Sequence, residues 1–150
     1  MKNSNKLLQL LCLTCVFLLA LNARAESSQD FGDYVVHFNA LTTDLLPPKV
    51  ANEYNIRRSG NHAIVNVVVL RKVLGAVGQP VPATVTGTIT GLTGQQRTLE
   101  LREIREPNAI YYIADFGVGN EEMLRFQIDV RPEGEKESLQ VQFRQQFFSR

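Results

Sequence analysis

The residues able to hold a metal are few. Two histidines, His37 and His62, and, besides the initiating Met1, the methionine Met123 are the imidazole and thioether donors, and both cysteines, Cys12 and Cys15, lie in an apolar run near the N-terminus. The histidines stand 25 positions apart, with no C-x-x-C, H-x-H or H-E-x-x-H spacing around them. Polar side chains near strand ends are the simpler explanation, and a copper site of His/Met type asks for more ligands than these. Neither a metal nor a cofactor is expected. Nucleophilic catalysis has equally little to build on. Ser59, Ser138 and Ser149 fall in no G-x-S-x-G elbow, and no thiol stands outside the apolar run. The acids Glu121-Glu122 and Glu133, Glu135 and Glu137 sit in predicted turns, where solubility accounts for them better than acid/base work. Gly91 and Gly94 precede a predicted strand, not the helix N-terminus that a phosphate loop needs. The chain therefore reads as non-enzymatic.

Binding chemistry is better represented. The segment Tyr54 to His62, YNIRRSGNH, gathers an aromatic, adjacent Arg57 and Arg58, two asparagines and a histidine. Arginine and tyrosine make contact hot spots because each joins a large surface to a polar tip. Tyr54, Arg57, Arg58 and His62 are the candidate partner-binding patch, against the alternative that the arginines pair with nearby acids. Asn66 is a second oddity, an amide in an otherwise apolar run, and a buried amide left unpaired costs on the order of 1–3 kcal/mol. Either it bonds to adjacent backbone, or with His37 it lines a ligand pocket. The closing Phe147-Phe148 either plugs the core or forms an exposed contact tip.

The elements that must carry these residues are almost all strands. Leu124, Phe126, Ile128 and Val130 alternate with Arg125, Gln127 and Asp129, and Leu139, Val141 and Phe143 with Gln140, Gln142 and Arg144. From Val81 to Thr90, one side carries Val81, Ala83, Val85, Gly87 and Ile89, and the other a row of threonines. Each pattern is a half-buried strand, one face to a core and one to water. His62 to Leu70 and Ala109 to Phe116 are apolar on both faces, as strands covered on both sides are. His62 to Leu70 is the expected central strand. Further strands are predicted at Tyr34 to Ala40 and Thr98 to Ile104, with turn chemistry at Gly75 to Pro82, Gly91 to Gly94, Pro107-Asn108, Gly117 to Asn120 and Pro132 to Gly134. About seven strands at this spacing predict an all-β, immunoglobulin-like β-sandwich. Pro47-Pro48 can open a short helix ending near Asn55, expected to cap one end of the sandwich.

The first 25 residues read as a cleaved export signal. Lys2 and Lys6 precede the apolar run Leu7 to Leu21, and Ala23-Arg24-Ala25 is a small-x-small cleavage pattern. The run is shorter than the roughly 20 residues a spanning helix needs. Cleavage after Ala25 leaves 26–150 as a single cysteine-free domain that must rest on packing, with disorder expected only at Glu26 to Gln29. Without Lys2, Lys6 and Arg24, 13 of the 16 basic residues face all 15 acids, a net charge of −2. That balance gives no reason to expect nucleic acid or an anionic membrane as partner, and no transmembrane segment is expected after cleavage.

The segments GDYVVHFNALTTDLLPPKVANEYNIRRSGNHAIVNVVVL, PVPATVTGTITGLTGQ, LREIREPNAIYYIADF and FRQQFF resemble an uncharacterised family of exported proteobacterial proteins, domain of unknown function 4426. The resemblance implies a periplasmic or envelope location in a Gram-negative cell, and it carries no activity, cofactor or assigned site. A fainter similarity, in Gln79 to Ala83 and the strands that follow, points to small exported immunoglobulin-like accessory domains. The expectation is an exported accessory or binding module contacting an unidentified envelope protein, the alternative being a periplasmic carrier of a small ligand or metal.

Overall fold

In a computed structural model the described residues are 27–74 and 76–149, so the predicted export signal lies outside them. Ten strands run in the order β1 (Ser27–Asp30), β2 (Tyr34–Thr42), β3 (His62–Val73), β4 (Ala76–Pro80), β5 (Ala83–Gly91), β6 (Gln96–Leu99), β7 (Arg102–Glu106), β8 (Ala109–Gly117), β9 (Glu122–Pro132) and β10 (Leu139–Phe147). The first sheet has the order β1-β2-β3-β8-β7, with β4 also on β3, and the second has the order β10-β9-β5-β6. All pairings are antiparallel. The molecule is a β-sandwich, as the alternating segments predict.

Inward residues of both sheets form one core: Val36, Phe38, Val65, Val67 and Val69 face Ile89, Phe126, Ile128, Val130 and Val141. Phenylalanines mark its middle. Phe143 stacks on Phe126 at 4.4 Å between centroids and on Phe38 at 4.7 Å, while Phe116 meets Phe126 and Phe147 edge-on. Offset and edge-on pairs of this kind add about 0.5–1.5 kcal/mol each beyond area burial. The C-terminal pair divides its roles, for Phe147 is 2% exposed and Phe148 59%. Gly87 sits where a Cβ would come within 2.6 Å of Ile128 Cδ1 and 3.3 Å of Leu99 Cδ1, so these two side chains fill the space over β5 that a side chain at position 87 would need.

Strand β3 is central, as expected. Ala63 to Arg71 pair with β2 on one side, while β8 and then β4 share the other. Its odd-numbered residues enter the main core, and its even face carries Ile64 into a second cluster with Ala51, Ile56 and Ile113. That cluster corrects the expected place of the short helix α1 (Pro48–Glu53), which covers the outer face of the first sheet and not an end of the sandwich. Helix α1 begins on Pro48, whose fixed φ suits a first helical position. It stops because Asn55 takes φ +54. The Asn55 N–H then bonds Asn52 O at 3.2 Å and the Ile56 N–H bonds Ala51 O at 2.7 Å, the paired bonds of a Schellman ending. The same ending turns Ile56 onto Ala51 inside the second cluster.

Three further expectations change. Ser27 to Gln29, expected to be disordered, belong to edge strand β1. The predicted turn Gly75 to Pro82 contains β4. The single strand expected over Thr98 to Ile104 is two, β6 in the second sheet and β7 in the first, with Glu100-Leu101 crossing between layers.

Candidate functional site

Between β2 and β3 the chain leaves the sheet for residues 43–61 and returns beside its own starting point. Thr43 makes that return rigid. It is fully buried, and its hydroxyl accepts the Ser59 N–H at 2.9 Å and lies 2.8 Å from Arg57 O and 3.1 Å from Ser59 O, which its proton can serve. One side chain thus fixes backbone groups on both sides of Arg58. Arg57 and Arg58 are exposed on this braced loop. The Arg58 guanidinium donates to Asp44 O at 2.7 Å, and Arg57 has no side-chain hydrogen bond or ion pair among the described residues.

The other two patch residues point elsewhere. Tyr54, the residue after α1, lies over β7, where its hydroxyl donates to Glu106 Oε1 and its carbonyl accepts from Arg102. Bonding to the Glu106 carboxylate, which favours the protonated phenol, pushes the Tyr54 hydroxyl up to about 12. His62 opens β3 and faces a groove of about 490 Å³ at one end of the sandwich, between the β5–β6 and β8–β9 turns. Inside it, Arg97 donates to Gly117 O at 3.0 Å and lies 3.6 Å from Glu122 Oε1, while Glu122 Oε2 takes the Gly119 N–H at 2.6 Å. The four residues of YNIRRSGNH are therefore divided among three environments. The two arginines stay together; Tyr54 and His62 lie to either side.

His37 and Asn66 do share a face. His37 opposes Val68 and Asn39 opposes Asn66 across β2 and β3, which makes His37 and Asn66 diagonal neighbours on the outer side of the first sheet. The Asn66 Oδ1 is buried with no hydrogen-bond partner among the described residues. The adjacent loop backbone, which the sequence offered as its partner, does not reach that oxygen. Neither residue lines the end groove or a second groove, of about 360 Å³, at the opposite end of β5 and β9. In that second groove, Glu103 is held below the usual carboxylate range by Arg105, and the Tyr112 hydroxyl, raised by burial, donates to Glu103 and accepts the Ala83 N–H at 2.7 Å.

Sequence reasoning missed Thr43 and Arg97, and set Glu122 aside as a solubilising turn acid, whereas it opens β9 and binds the Gly119 N–H. Thr43 sits in an ordinary Leu-Thr-Thr-Asp stretch, and its role depends on a loop that returns 14 to 16 residues later. Arg97 and Glu122 meet only because the β5–β6 hairpin ends beside the β8–β9 crossing between the two sheets, and no local spacing announces that.

The family model for a domain of unknown function, DUF4426, matches residues 28–150. The chain belongs to this family. A crystal structure of a DUF4426 family protein from Pseudomonas aeruginosa PAO1 is 36% identical, with a TM-score of 0.73 over 85% of this chain and 98% of that one. Two structures of FetP from uropathogenic Escherichia coli strain F11 share the fold at 10% identity. One was isolated after recombinant expression in the periplasm, with a TM-score of 0.57 over 84% of this chain and 95% of FetP. The other is a copper-bound variant, with a TM-score of 0.59 over 84% and 97%. No curated protein matches the chain. Among the described residues no helix is long and apolar enough to cross a membrane, and no three His, Cys, Asp or Glu side chains come together in a group that could hold a metal.

Proposed function

We propose that this chain is an exported, non-enzymatic accessory module of the Gram-negative envelope. It acts in the periplasm as a single domain after cleavage behind Ala25, and meets a partner protein through the loop carrying Arg57 and Arg58. The observation that carries this reading is the Thr43 brace. A backbone locked by one buried hydroxyl presents two exposed arginines side by side, the Arg58 guanidinium held on Asp44 O, and a loop ordered in advance binds at a lower ordering cost. In-cell crosslinking of the exported protein, with mass spectrometry of what it captures, tests this. A specific envelope protein captured by the wild type and lost with Arg57→Ala/Arg58→Ala is the expected result. The same capture from both proteins overturns the assignment.

A second reading, a periplasmic carrier, draws on the copper-bound fold relative and on the shared face of His37 and Asn66. Equilibrium dialysis with copper(II) addresses it. Stoichiometric metal at micromolar concentration that disappears in His37→Ala supports carriage, and substoichiometric metal ends it.

A further inference from the structure

The outer face of the second sheet carries an arrangement that folding alone does not favour. Arg125 of β9 and Arg144 of β10 are paired directly across the two strands. Both are exposed, and both stand on the side opposite the core residues Leu124, Phe126 and Val141. Directly opposed side chains have their Cβ atoms about 5 Å apart, and like charges there destabilise a sheet. Neither guanidinium has a hydrogen-bond or ion-pair partner among the described residues. The one acid at an outward position of these four strands, Asp129, is four residues along β9 from Arg125, about 13 Å away. Beside the arginines lie neutral hydrogen-bonding groups. Thr90 and Gln96 continue the arginine row onto β5 and β6, and the next row is Gln142, Gln127, Thr88 and Thr98. The face is wide and uncharged apart from these cations, Asp129 and, two residues beyond it on β9, Arg131, and nothing described covers it.

We propose that this face binds an acidic polysaccharide, with Arg125 and Arg144 clasping a carboxylate, sulfate or phosphate group and the neighbouring amides and hydroxyls bonding to sugar hydroxyls. An anion between the guanidiniums relieves the repulsion that the pairing creates, and two adjacent arginines offer several donors in fixed planes. The flat array of amide and hydroxyl groups beside them complements a sugar chain better than an acidic peptide, whose charges would meet no further cation before Arg131, six residues along β9 and about 20 Å away. The site lies on another sheet from the Arg57 loop and stands or falls separately from the partner-binding reading.

The test is fluorescence anisotropy of the purified protein with fluorescein-labelled heparin at low ionic strength, competed by polygalacturonate, dextran, polyglutamate or inorganic phosphate. Polygalacturonate should compete, dextran and phosphate should not, and Arg125→Gln/Arg144→Gln should weaken binding by about tenfold or more. Arg57→Ala/Arg58→Ala should leave it unchanged. Arg144→Glu is the decisive single variant: it should abolish binding and raise the thermal midpoint, because the new carboxylate pairs with Arg125. A residue kept for structure would instead lose stability. Unaltered binding in the double glutamine variant, absence of binding by the wild type, or competition by polyglutamate equal to that by polygalacturonate overturns the proposal.

Discussion

The two sheets of the sandwich expose their outer faces to opposite fates. On the first sheet, Ile64 and Ile113 are closed over by Ala51 and Ile56 from the 43–61 excursion. On the second, threonines, glutamines and arginines stand bare. The difference is written in periodicity. β3 and β8 are apolar on both sides and demand a lid, whereas β5 and β9 alternate strictly and need none. A family of sandwiches can thus evolve two kinds of surface on one scaffold: a rigid loop surface built where a lid is compulsory, and a flat polar one where it is not.

Substitution can break this contrast. The largest effect should come from Ile64→Ala, which empties the centre of the lid cluster at a position 4% exposed and should cost about 2–4 kcal/mol in chemical denaturation. Thr86→Ala at an exposed position of the bare face should stay within about 0.5 kcal/mol. Equal costs would mean that the lid adds little to the fold. Thr43→Val keeps the shape of the brace but leaves Ser59 N–H and Arg57 O without it, and should cost about 1–3 kcal/mol. Faster amide exchange at Ser59 would show that the loop, not the sheet, has loosened. Asn55→Ala places a less tolerant residue at φ +54 and should cost about 1 kcal/mol by thermal denaturation. The smallest effect is one of pH. The Tyr54 phenol is raised to about 12, so the bond to Glu106 contributes fully below the ordinary tyrosine value near 10 and is lost as pH climbs through 12. Ultraviolet titration should show Tyr54 and the buried Tyr112 titrating late, and Glu106→Gln should bring only Tyr54 back toward 10.

The strand pattern made most of the sandwich legible in advance. Alternation at Leu124 to Val130 and at Val81 to Thr90 identifies which side faces the core, and the double-sided run from His62 identifies the centre. What stayed hidden has physical causes. β6 and β7 looked like one strand because the Glu100-Leu101 crossing carries no glycine or proline to mark it. β1 and β4 are short edge strands whose pairing partners, not their composition, make them strands. The lid was misplaced because Pro47-Pro48 signals where a helix starts and says nothing about which surface it covers. For the candidate patch, the adjacency of Arg57 and Arg58 survives folding since it is local. The grouping with Tyr54 and His62 does not, because the Schellman turn and the start of β3 aim those two side chains at different parts of the molecule.

Asn66 has a consequence outside the folded state. Without it, β3 would run from Ala63 to Leu70 as eight successive apolar residues, mostly β-branched and free of proline and charge, the composition from which cross-β aggregates grow. The amide interrupts that run, and the native state accepts a buried oxygen with no partner in return. Asn66→Val should therefore make the folded protein harder to denature and its refolding more prone to precipitate, so that the least satisfied atom of the central strand is what keeps the unfolded chain soluble.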